Sequence, residues 1–148
     1  HIFHPFFDVT SDFSKIKIEG LADFTEFKSG HSSVVRLYKR WYDSLLSTGK
    51  VTIEYLQSTR GSHYFVGLHM WLVIYFSKFN LQNIPNLNIL TEDLAQYMNG
   101  AYERLFYAWF FRFRHFTDRQ FLEQYLEGAR KLGIRIILDE EFVRQVSS

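Results

Sequence analysis

A helical pattern of apolar and polar positions dominates the chain after residue 32. Residues 33–60 carry an apolar stripe rich in Tyr and Trp, at the spacing of one helix face. The stripe consists of Val34, Tyr38, Trp41 and Leu45. Basic side chains occupy the opposite face. The pattern therefore predicts a basic amphipathic helix in residues 33–60.

The next segment is an uncharged run from Gly61 to Ser77. Its 17 residues reach the lower edge of the roughly 17–25 that a membrane-spanning helix needs. Arg60 and Lys78 border the run, and long basic side chains at such borders reach lipid headgroups. Residues 61–79 are predicted to form one short transmembrane helix. A buried core helix or a central strand of a soluble protein is the alternative.

The C-terminal part contains the clearest local signal. Residues 80–90 are rich in Asn and are predicted to be a linker. Residues 91–148 are predicted to form two or three aromatic-rich helices. One of these starts at a capping box of Thr117 and Gln120, and Gly133 suits its left-handed end.

Residues 1–32 show no sustained period. Their Phe residues are scattered, while Ile16 and Ile18 alternate with charged residues, as in a short strand. We predict an irregular N-terminal segment that packs on another element. The predicted fold class is mainly α: an amphipathic helix, one short transmembrane helix, then two or three aromatic-rich helices.

Composition excludes several classes of protein. Without Cys, a disulfide scaffold or a cysteine zinc site is impossible. A hydrophobic fraction of 47% argues against disorder, and a net charge of +1 argues against a strongly basic nucleic-acid binder. The aromatic fraction of 19% exceeds what one small core readily buries. It suggests contact surface for lipid and neighbouring chains.

No catalytic pattern occurs in the sequence, so we predict that the chain is not an enzyme and holds no metal or cofactor. A nucleophile elbow, a Gly-rich phosphate loop and a His-x-x-x-His pair are all absent from the sequence. Small residues in the uncharged run permit close helix approach, and an ionisable group at membrane depth faces a protein partner or a cavity. The predicted helix-packing residues are Gly61, Ser62, Gly67 and His69.

A second group of residues is predicted to contact a partner. The stretch Leu105–Phe111 is apolar on every side, which is typical of a helix buried all round. The predicted partner contacts are Trp109, Phe110, Phe111, Arg112 and Arg114. Basic and aromatic residues together also suit RNA base stacking. A component of a mitochondrial ribonucleoprotein is therefore an alternative, although nearby acids argue against nucleic acid.

Two segments resemble subunit f of the mitochondrial ATP synthase membrane sector. They are VVRLYKRWYDSLL (Val34–Leu46) and RGSHYFVGLHMWLVIYFSKF (Arg60–Phe79), less than a third of the chain. The resemblance implies a non-catalytic subunit of the inner membrane that supports assembly, dimer contacts and the proton-translocating sector. It carries over an amphipathic segment and the start of the span, namely Arg36, Tyr38, Arg40, Tyr42, Gly61 and Ser62.

The resemblance and the charge pattern together predict where the chain meets the membrane. The predicted interface residues are Arg36, Tyr38, Lys39, Arg40, Trp41, Tyr42, Arg60 and Lys78. Basic residues are concentrated before the run, so the positive-inside rule places the N-terminal side in the matrix. The expected partners are other subunits and membrane lipid. A phospholipid such as cardiolipin is the one bound ligand that this prediction allows. A soluble α+β interaction domain is the remaining alternative.

Overall fold

The structure is a computed structural model that describes residues 9–28, 32–46, 49–52, 62–78, 108, 110–134 and 137–147. These residues form helices α1 Val9–Lys28, α2 Ser32–Leu46, α3 Ser62–Lys78, α4 Asp118–Leu132 and α5 Glu140–Ser147, with strands β1 Lys50–Val51 and β2 Ile137–Leu138. A helical turn at 110–113 precedes α4. The mainly α fold class is confirmed. The predicted linker 80–90 lies outside the described residues.

Helix α3 is the centre of the fold. Every residue from Val66 to Ser77 is buried, as expected of a helix that is apolar on all sides. Helices α1 and α4 pack against it. No helix in the described parts of the chain combines the length and apolar character needed to cross a bilayer. The predicted helix is therefore present, while a span over 61–79 stays a prediction.

Helix α1 replaces the irregular segment predicted for residues 1–32, and that prediction was wrong over residues 9–28. An alternating strand would place Ile16 and Ile18 on one face, yet Ile16 is 0% exposed and Ile18 is 64% exposed. The buried positions instead recur every three or four residues, which is one helix stripe. They are Phe13, Ile16, Gly20, Phe24 and Phe27.

Two glycines set how closely α1 approaches α3. A Cβ atom added at Gly20 would collide with the backbone of Gly67, and one added at Gly67 would collide with the carbonyl oxygen of Ile16. The backbones of the two helices are therefore in direct contact at this crossing. Such contact requires a residue without a side chain on each helix.

Hydrogen bonds and an ion pair hold α1 beside the start of α4. Lys17 Nζ lies 2.6 Å from Asp118 Oδ1 and donates to the Phe116 carbonyl at 2.9 Å. Ser14 Oγ donates to Asp118 Oδ2 at 2.8 Å. On the α3 side, Trp71 Nε1 donates to the Lys17 carbonyl at 2.9 Å. Because these partners are far apart in sequence, the local pattern gave no sign of them.

Helix α2 lies within the predicted amphipathic segment 33–60 and ends at Leu46. Residues 50 and 51 form β1, and residues 53–60 lie outside the described residues. Gly49 has a φ of 70°, which turns the chain into β1. That strand pairs in parallel with β2, Lys50 opposite Ile137 and Val51 opposite Leu138.

The start and end of α4 confirm the local sequence signal. Gln120 N donates to Thr117 Oγ1 at 3.1 Å, and Thr117 N donates to Gln120 Oε1 at 2.9 Å. This reciprocal pair satisfies two backbone donors at the helix start. Gly133, with φ 67° and ψ 39°, ends the helix in the left-handed conformation.

Candidate functional sites: a buried histidine and an arginine–aromatic surface

His69 is a buried polar group at the meeting point of three helices. Its side chain projects from α3 and is only 2% exposed. The Nδ1 atom lies 3.0 Å from the hydroxyl of Tyr38 on α2. The Nε2 atom lies 3.0 Å from the hydroxyl of Tyr125 on α4. Both ring nitrogens are thus hydrogen-bonded, as a buried imidazole requires.

Aromatic rings enclose the imidazole. The ring centroids of Trp41, Tyr42 and Tyr125 lie 6.0, 5.7 and 5.5 Å from that of His69. Burial lowers the pKa of His69 to about 3, because the charged imidazolium loses its hydration. The same burial raises the pKa of Tyr38 and Tyr125.

The protonation state of His69 determines which hydrogen bonds the cluster makes and whether His69 can act in acid–base catalysis. At neutral pH the imidazole is uncharged, with one N–H donor and one acceptor nitrogen. One tyrosine hydroxyl therefore donates to His69, and the other accepts from it. A general base needs a pKa near the working pH and access to a substrate. His69 has neither property, so its chemistry is that of a fixed polar link between helices.

The predicted membrane-interface residues separate into two sets. Tyr38, Trp41 and Tyr42 are buried in the core, so their placement at a membrane surface was wrong. Their large rings fill the gap between α2 and α3, as the 6.0 Å contact of Trp41 with Phe65 shows. The basic members remain exposed, namely Arg36, Lys39, Arg40 and Lys78. Arg60 lies outside the described residues.

The predicted helix-packing residues contact helices of the same chain. Gly67 lies against α1 at the Gly20 crossing, and His69 faces α2 and α4. The prediction assigned these contacts to neighbouring subunits in lipid. Ser62 is the first residue of α3, and Gly61 lies outside the described residues.

An exposed surface of alternating rings and cations precedes α4. We call residues Phe111, Arg112, Phe113, Arg114 and His115 the arginine–aromatic surface. Phe111 is 60% exposed, and the guanidinium carbon of Arg114 lies 4.9 Å from its ring centroid. Arg112 lies 5.3 Å from the ring centroid of Phe113. Arg114 Nε also donates to His115 Nε2 at 3.0 Å.

The structure brings most of the predicted partner contacts into this surface. Phe111, Arg112 and Arg114 are exposed. Phe110 is half-buried against the core, which attaches the surface to the fold. Trp109 lies outside the described residues.

Two nearby lysines act on the end of α3. Lys131 Nζ donates to the Ser77 carbonyl at 3.0 Å, and Lys78 lies in the last turn of α3. Cations at a helix C-terminus stabilise its unpaired carbonyls. Lys78 Nζ also lies 5.8 Å from the ring centroid of Phe113. The lysines thus have a structural role that the two arginines do not share.

The outer face of α1 carries an acidic row with one perturbed member. Glu19, Asp23 and Glu26 are spaced for one side of the helix. Partial burial, followed by repulsion from Glu26 and Glu19, raises the pKa of Asp23 to about 6. Because its pKa is higher in the folded protein than in the unfolded chain, ionised Asp23 destabilises the fold at neutral pH.

Replacing Asp23 with Asn is expected to stabilise the fold at pH 7 by about 1 kcal/mol. A raised pKa contributes stability below pH 3.8 that is lost as the pH rises through about 6. Because the carboxyl is only half-buried, solvent weakens the effect. Urea unfolding of both proteins measures it, with Asp43→Asn on the exposed surface of α2 as the control. A variant no more stable than wild type at pH 7 would contradict the expectation.

Comparison with known proteins and a search for metal ligands identified no further functional feature among the described residues. No family model, curated protein or solved structure matches the chain. Within the described ranges, no three His, Asp or Glu side chains are grouped so that they could hold a metal ion.

Proposed function

We propose that this chain is a non-catalytic helical subunit of a larger assembly, and that it holds a neighbouring protein subunit on the arginine–aromatic surface. The observation that carries the proposal is the pairing of Phe111, 60% exposed, with an arginine stacked on its ring. Arginine is enriched among the few residues that dominate binding energy at protein interfaces, and phenylalanine is enriched at interfaces relative to the rest of the surface. A single exposed apolar residue, such as Ile18, needs no such explanation.

The anchoring of the surface also supports the proposal. Phe113 packs on Phe116 with ring centroids 5.0 Å apart, and Phe116 stacks on the buried Trp71 at 6.2 Å. The arginines next to Phe113 therefore stand on a rigid base. A rigid surface loses little conformational entropy when a partner binds.

We further propose a location in the cell, based on the resemblance to subunit f. Residues 34–46 and 60–79 suggest the ATP synthase membrane sector in the mitochondrial inner membrane, with the N-terminal side in the matrix. In this proposal the lipid contact lies on the exposed basic face of α2, with Arg36, Lys39 and Arg40 toward anionic headgroups such as those of cardiolipin. On the other face of that helix, Tyr38, Trp41 and Tyr42 are buried in the core.

Assembly in cells tests the proposal. The full chain is expressed in its source cells in place of the native copy, as wild type and as the triple variant Phe111→Ala, Arg112→Ala, Arg114→Ala. Wild type is expected to sediment with a large complex, whereas the triple variant sediments as a free chain. Its unfolding free energy should change by less than about 1 kcal/mol, because all three side chains are on the surface.

The matched control is Ile18→Ala, which removes an equally exposed apolar side chain from α1 and should leave the sedimentation unchanged. A triple variant that still sediments with the complex would overturn the proposal. The same cells answer the question of location. Recovery in the membrane pellet at low salt supports the membrane sector, and quantitative recovery in the supernatant at low salt contradicts it.

A further inference from the structure

We propose that the partner segment held on the arginine–aromatic surface is acidic, with Arg112 and Arg114 each binding a carboxylate. This inference rests on the proposed function and names the chemistry of the partner. A guanidinium presents a planar fork of donors that matches a carboxylate. Here the fork is already oriented, because each guanidinium lies over a phenylalanine ring.

The two arginines have no intramolecular carboxylate within the described ranges. The ion pairs found there join Lys17 with Asp118, Lys50 with Asp139, Arg119 with Glu123 and Arg144 with Glu141. Among the described residues, the nearest acids along the chain are Asp118 and Glu123, and each is paired with another cation. A surface whose oriented cations have no carboxylate among the described residues is complementary to a negatively charged partner.

The donors that remain available favour a carboxylate bound end-on at Arg114. Its Nε atom already donates to His115, so the two terminal nitrogens are left for a ligand. Arg112 donates to no described group and keeps its full fork. Lys78, 5.8 Å from the centroid of Phe113, adds positive charge on that side.

The same geometry disfavours RNA. Bases bind such proteins by stacking on aromatic faces, but Arg114 lies over the ring of Phe111 and two cations lie near the ring of Phe113. Stacking would have to displace these cations. A long phosphate backbone also needs many phosphate contacts, whereas Lys131 is engaged with the Ser77 carbonyl.

Binding of defined probes to the full chain tests the inference. The first probe is a labelled short peptide of Glu and Gly with one central Trp. The second has Gln in place of every Glu, and the third is a short single-stranded oligo-U RNA. We expect the acidic peptide to bind at least about tenfold more tightly than the Gln peptide, and the affinity to fall as salt rises from about 50 to 200 mM.

Variants locate the binding site. Arg112→Gln and Arg114→Gln should each weaken the acidic peptide by about tenfold. Arg119→Gln, which alters an exposed arginine already paired with Glu123, should leave the affinity unchanged. Equal binding of the acidic and Gln peptides, or binding of oligo-U in preference to both, would overturn the acidic assignment.

The outcome is distinguishable from failure of the proposed function. If the triple variant leaves the cellular complex but the acidic peptide does not bind, the surface is an interface whose partner is not acidic. If the triple variant stays in the complex, the surface is not the interface at all, whatever the peptide does.

Discussion

Lowering the pH from 7 to 4 is expected to cost the fold about 3 kcal/mol at His69 alone. In the unfolded chain a histidine takes up its proton near pH 6.5, whereas burial holds the native pKa at about 3. The unfolded state therefore binds more protons throughout this interval. The stability contributed by neutral His69 is complete above pH 6.5 and is lost progressively as the pH falls toward 3.

Comparison with His69→Gln isolates this effect. The glutamine amide retains a donor and an acceptor but does not titrate, while every other group is common to both proteins. Urea unfolding is measured at intervals between pH 4 and pH 7. The stability advantage of wild type should be largest at pH 7 and shrink by about 3 kcal/mol toward pH 4.

A difference between wild type and His69→Gln that stays constant between pH 4 and pH 7 would contradict the expectation. It would show that His69 is accessible to protons in the native state. The enclosure by Trp41, Tyr42 and Tyr125 would then be wrong.

Replacing Gly67 with Ala is expected to destabilise the fold by about 3 kcal/mol. The added methyl group meets the backbone carbonyl of Ile16, and a backbone cannot rotate away as a side chain can. Overpacking of this kind costs about 1–3 kcal/mol, occasionally more. The better helix propensity of Ala offsets at most about 1 kcal/mol. For a chain of this size the melting temperature should fall by roughly 10 °C.

Gly128→Ala provides the matched comparison. A Cβ at Gly128 would lie 2.7 Å from the Oγ atom of Ser77, which is part of a side chain. We expect a smaller loss, and we expect Ser77→Ala to relieve most of it. If Gly67→Ala were as mild as Gly128→Ala, the α1–α3 crossing would have to be wider than described.

The sequence revealed helices whose signals are local and missed those that depend on partners. The capping box of Thr117 and the turn at Gly133 act within a few residues, so α4 could be located closely. Helix α1 was missed because Gly20 interrupts its apolar stripe, and because Ile16 and Ile18 alternate with charged residues as they would in a strand. A glycine there is understandable only when the opposing Gly67 is known.

The functional residues divide in the same way. A stripe of Tyr and Trp beside basic residues fits a membrane surface and a protein core equally well, and only the position of α3 decides between them. The partners of His69 are 31 and 56 residues away, beyond any local pattern. Arg112 and Arg114 were predicted as partner contacts from the local mixture of basic and aromatic residues. Only the fold shows that neither arginine pairs with a carboxylate of the described residues.

The pairing of β1 with β2 has a consequence for how the protein is made. Residues 50–51 find their partners only at residues 137–138, and α1 also packs on α5. Contacts so distant in sequence slow folding. On the ribosome, α1 and α2 emerge long before the strand and helix that complete their packing. Their aromatic stripes stay uncovered during that interval, so protection from aggregation is needed most while the second half of the chain is being translated.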